Sequence, residues 1–73
     1  MNIEFEKAVG QKIRHYREEN GYTQEQLSAK LQVEGCDITR SALAKMEVGQ
    51  RHIYLDEFKL LVEILGVEYS DLL

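Results

Sequence analysis

No proline interrupts this chain, tryptophan is absent, and cysteine occurs once. Without proline, nothing forces a kink or removes an interior N–H, so helices can run freely. The lone Cys36 cannot close an internal disulfide and suits a reducing cytosol, which predicts a cytoplasmic protein. No apolar run nears the roughly 18 residues needed to cross a bilayer. The opening MNIEFEKAVG also lacks the basic-then-apolar order of a secretory signal. Low-complexity stretches, internal repeats and linkers are missing too.

What is there fits one globular domain over residues 1–73. Hydrophobic residues make up 44% and charged residues 30%, the balance of a folded soluble chain. A chain this short buries only about 60% of its unfolded surface, so its core is small. The net charge of −4 counts against nucleic acid at first sight. Its distribution softens that, because residues 53–73 carry five acids against Lys59 alone. Residues 12–52 hold seven Lys/Arg against six Asp/Glu. A mildly basic middle permits a phosphate-facing side.

The pattern predicts five helices. Phe5, Val9, Ile13 and Tyr16 recur at four- and three-residue steps up to Asn20, and Gly21 stops that helix. Gly10 inside the stripe weakens it. Thr23 and Gln26 form a capping box for the second helix, with Tyr22 and Leu27 at the staple positions. Leu27 and Leu31 face inward, and the helix should reach Val33 or Glu34 with Gly35 just beyond. Thr39 caps the third helix in the same way, with Ile38 and Leu43 as its staple, Leu43 and Met46 inward and Gly49 at its end. A fourth helix runs from about Leu55 to Leu65, with Phe58, Leu61, Val62 and Leu65 as core and Leu60 and Ile64 off that stripe. Gly66 closes it, and YSDLL forms a short last turn.

The order GQKIRHYREENGYTQEQLSAKL, SALAKMEVGQR, LGVEYSDLL resembles the Cro/C1-type (lambda-repressor-like) helix-turn-helix family over residues 9 to 73. The resemblance implies an all-α, five-helix domain with the helix-turn-helix at about 23–48 and a recognition helix at about 40–48. It differs in one place. Seven residues, Gln32 to Ile38, separate Leu31 from the cap Thr39, where a compact motif needs only a few. Bacterial relatives with a similarly extended turn suggest a longer second helix and a loop bulging at Cys36-Asp37. That loop should turn away from DNA, since Asp37 beside phosphate is repulsive.

The family implies a transcription regulator that binds double-stranded DNA as a repressor-type homodimer. An α-helix fits the major groove, about 12 Å wide. Arg40, Ser41, Ala42, Ala44 and Lys45 are the candidate base contacts, with Arg40 the best reader because its fork can bond guanine O6 and N7 together. Gln24 matches the family's phosphate-contacting position, where free N–H groups and the helix dipole favour an anion. Thr23, Thr39, Gln50, Arg51 and His52 complete the expected phosphate contacts. Arg17 and Glu47 match a structural ion pair joining helix one to the end of helix three. Leu60, Ile64, Leu72 and Leu73 are the expected dimer interface.

Catalytic and metal sites find no support. His15 and His52 lack partners at triad or ligand spacing, and no phosphate-cradling glycine loop or HExxH-type motif occurs. The chain is therefore read as neither an enzyme nor a cofactor or metal binder. The acidic total keeps one alternative, an antitoxin-like or regulatory module whose helices face another protein.

Overall fold

The computed structural model describes residues 2–73, and five helices are the regular elements among them. Helix α1, Ile3–Glu19, begins where the Asn2 side chain accepts from the Phe5 N–H at 2.9 Å. Glu4 and Glu6 in its first turn favour the positive end of the helix dipole. Val9 and Ile13 are buried and Tyr16 is half-buried, while Phe5 remains 47% exposed. The expected stripe therefore holds through its middle and opens at its start.

Gly10 has a reason the stripe did not reveal. A Cβ there would run into the carbonyl oxygen of Met46 and the backbone of Glu47. The missing side chain lets α1 lie directly on the end of α3, so the helix propensity lost at Gly10 is offset by close packing.

Helix α2, Gln24–Val33, starts with the capping box expected: Thr23 Oγ1 accepts from the Gln26 N–H at 3.0 Å, and Gln26 Oε1 accepts from the Thr23 N–H at 2.9 Å. It ends at a left-handed Gly35, φ +87°. The Cys36 N–H reaches back to the Leu31 carbonyl and the Gly35 N–H to that of Gln32, which satisfies the last turn.

The extra turn length is thus divided between two more helical residues, Gln32 and Val33, and a five-residue connection, 34–38. That connection is pinned rather than loose. The Ile38 carbonyl accepts from Ser28 Oγ at 2.7 Å and Gln32 Nε2 at 3.2 Å, and the Ile38 side chain is fully buried. Asp37 stays exposed at the outside of a tight turn closed by the Ile38 N–H on the Cys36 carbonyl.

Helix α3, Arg40–Glu47, is capped by Thr39, whose Oγ1 accepts from the Ala42 N–H at 3.1 Å. Leu43 and Met46 are fully buried. Helix α4, Leu55–Leu65, contributes Leu61, Val62 and Leu65 to the core, while Phe58 is only half-buried. Asn20 at the end of α1 ties the two helices by donating to the Leu65 carbonyl at 3.2 Å. Helix α5, Tyr69–Leu72, lies against α1 and α4. Among the described residues, no helix is long and apolar enough to cross a membrane.

Leu72 corrects one expectation. It is fully buried in the common core, so it closes the domain and is not available to a partner.

Candidate nucleic-acid interface

Helix α3 buries Leu43, Met46 and Glu47 on one side, which leaves Arg40, Ser41 and Lys45 exposed on the other. Ala44 is half-buried at the edge of that exposed face. Ala42 differs from expectation, because it packs half-buried against the core cluster. Its position, one place before buried Leu43 and four before buried Met46, turns it inward. Val48, 48% exposed just after α3, extends the outward face instead.

Below α3 lies a polar cleft lined by Arg14, Arg17, Thr23, Gln24, Glu25 and Arg40. The amino end of α2 opens into it, and first-turn N–H groups of a helix have no intrahelical partners. Thr23 and Thr39 both use their hydroxyl oxygens as caps, which leaves each hydroxyl proton free to donate to an anion. Arg14 joins this cleft although composition and motif spacing do not single it out. The available signal was its place three residues before Arg17, on the helix face that turns toward α2.

At the back of this cleft, Glu47 organises three groups. Arg17 Nε donates to Glu47 Oε2 at 2.7 Å and Arg17 Nη2 to Glu47 Oε1 at 3.2 Å, with both side chains buried. Arg17 Nη1 also donates to the Tyr22 carbonyl at 2.8 Å. Gln24 Nε2 donates to Glu47 Oε1 at 3.0 Å. A carboxylate only accepts, so this bond orients the Gln24 amide with its nitrogen inward. One amide N–H and the amide oxygen remain toward the cleft.

The loop after α3 departs from expectation. Gln50 is exposed, and its N–H is bonded to the Lys45 carbonyl at 2.8 Å. Arg51 does not stand free: its guanidinium makes paired bonds to Glu57 at 2.8 and 2.9 Å and donates to the His52 carbonyl at 2.8 Å. Glu57 also accepts from the Tyr54 N–H at 3.0 Å, so this ion pair fixes the start of α4. The Arg51 hydrogen bonds hold the Glu57 carboxyl below its ordinary pKa. His52 Nδ1 sits 3.2 Å from Glu6 of α1. Arg51 and Glu57 are six residues apart across the entry to α4, and His52 and Glu6 are 46 apart on different elements, so neither pairing follows a helical spacing visible in the sequence.

The remaining expected residues fall in separate places. Leu60 lies beside Cys36 and Lys59, and Ile64 beside Tyr22, Ala29 and Val33. Leu73, 54% exposed, lines a different, apolar groove with Phe5, Ile53, Leu55 and Phe58. The four leucine and isoleucine residues therefore form no single patch. Burial and the nearby acids Glu57 and Asp56 push the Cys36 thiol pKa up, the opposite of what a reactive thiolate needs.

A sequence comparison with curated proteins gives no match. In structure, the chain is similar to the crystal structure of the DNA-binding domain of BldD, with a TM-score of 0.84. The alignment covers 100% of this chain and 99% of that one at 23% identity, a likeness of fold. Residues 13–72, from the buried middle of α1 through the last core leucine, match the helix-turn-helix family. The chain belongs to the Cro/C1-type helix-turn-helix family.

Proposed function

We propose that this chain is a transcription regulator that reads double-stranded DNA by placing the outward face of α3 in the major groove. Arg40, Ser41, Ala44 and Lys45 are the reading residues. The observation that carries this reading is the exposed polar face of α3, whose first residue Arg40 lines the same cleft as the amino end of α2. An α-helix with its side chains is about 10–12 Å across, which fits a major groove about 12 Å wide.

Thr23, Gln24 and Thr39 face the sugar-phosphate backbone on one side of α3, and Gln50 on the other. Arg51 and His52 act indirectly, by holding the loop that carries Gln50. The regulator is of the repressor type and binds as a homodimer on two half-sites about 34 Å apart. Its contact uses apolar surface that includes Leu73, supported by the exposure of Phe5 and Leu55 beside it.

Titration of a fluorescent duplex at two salt concentrations tests the reading. Counterion release predicts affinity that falls steeply as salt rises. Salt-insensitive behaviour, or no binding at low ionic strength, would favour the protein-interaction module instead.

A further inference from the structure

We propose that α1 supplies a further backbone clamp, with Arg14 and Lys7 contacting phosphates near the two ends of α3. The inference rests on the DNA-binding reading above and deepens it.

Three observations converge. First, the basic side chains expected in the loop after α3 are engaged elsewhere, Arg51 by Glu57 and His52 by Glu6. Phosphate neutralisation on that side therefore needs another source. Second, Arg14 lines the same cleft as Thr23, Gln24 and Arg40. Its side chain is 59% exposed and holds only a loose contact with Glu18 at 3.7 Å. An exposed pair of that kind yields readily to a phosphate, because it is worth little in water. Third, Lys7 is exposed, and its Cα, Cβ and Cγ stand against Gly49, where a side chain would meet them at 2.8 to 3.3 Å. Gly49 immediately follows α3 and precedes Gln50.

Residues 7 and 14 are two helical turns apart and project along one edge of α1, about 10 Å from each other. Gly10 lies between them, at the point where α1 touches the backbone of Met46 and Glu47. That contact fixes the cationic edge relative to α3. A duplex engaged by α3 would have its backbone drawn past this edge, so Arg14 and Lys7 add sequence-independent attraction to a protein whose total charge is −4.

The test is a salt series with a short fluorescent duplex of random sequence, run on the full chain and on Arg14→Ala, Lys7→Ala, Arg14→Lys and Lys59→Ala. Lys59 lies on α4 beside Cys36, away from the cleft, and controls for net charge. Arg14→Ala and Lys7→Ala should each weaken binding several-fold at low salt and lower the slope of log affinity against log salt by about 0.9. Arg14→Lys should retain the slope, and Lys59→Ala should leave it unchanged. Thermal melts should be unaltered for all four. Unchanged slopes for both alanine variants, with wild-type binding intact, would overturn this clamp alone. An equal loss in Lys59→Ala would also overturn it, as a mere net-charge effect. Absence of salt-sensitive binding by the wild type would overturn the clamp together with the DNA-binding reading.

Discussion

Gln24 and Glu47, at the start of α2 and the end of α3, are joined by a 3.0 Å hydrogen bond from amide to carboxylate. The residue proposed to meet phosphate is thus oriented by the same acid that anchors Arg17. Gln24→Ala leaves the Arg17–Glu47 pair in place, so stability should change by about 1 kcal/mol or less. Affinity for a selected operator and for random duplex should fall by the same factor. Measured on both duplexes, a loss confined to the operator would make Gln24 a base reader.

Arg17 has the opposite profile. Its guanidinium bonds Glu47 twice and the Tyr22 carbonyl once, all at or near the buried junction of α1, α2 and α3. Arg17→Ala strands the Glu47 carboxylate and should cost about 3–5 kcal/mol in chemical denaturation. Unchanged stability would show that the pair is not the tie between these helices.

Gly10→Ala sets two effects against each other. Helix propensity alone would stabilise α1 by about 1 kcal/mol. The added methyl meets the Met46 carbonyl and the Glu47 backbone, which cannot give way without moving α3. Overpacking of that kind costs about 1–3 kcal/mol, so the packing effect should win and the melting temperature should fall. A rise in melting temperature would contradict this account of the α1–α3 contact.

Glu57 gives the fold a pH dependence. Its carboxyl pKa is lowered below the ordinary 4.5, chiefly by the hydrogen bonds from Arg51. In the acid range the unfolded chain therefore binds its proton first. The stabilisation is complete above pH 4.5 and is lost as pH falls through the depressed folded value. Glu57→Gln should flatten the fall in stability below that point, as read by denaturant titrations across the acid range. An identical acid profile in the variant would remove Glu57 from the explanation.

Helix ends were the most legible part of this molecule. The caps at Thr23 and Thr39 and the stops at Gly21, Gly35 and Gly49 depend on local chemistry, and each stands where the sequence places it. Ile38 was legible too, through its place before a cap. The pairings Arg51–Glu57 and His52–Glu6 were not, because a basic side chain in a loop carries no mark of the acid that will meet it in space. Leu72 reads as surface in a terminal turn, yet α5 folds back on α1 and buries it. Ala42 shows the same limit on a smaller scale, since a small residue on a short helix carries no polarity to say which way it turns.

The central claim is that α3 reads base pairs, with Arg40 as its principal reader. Sequences selected from a random duplex pool by the wild type and by Arg40→Ala test it most directly, with affinities measured for each. The account predicts that Arg40→Ala relaxes preference at one base pair by about 1–3 kcal/mol while keeping the rest of the motif. An Arg40→Ala protein that selects the same sequences with the same affinity would contradict it.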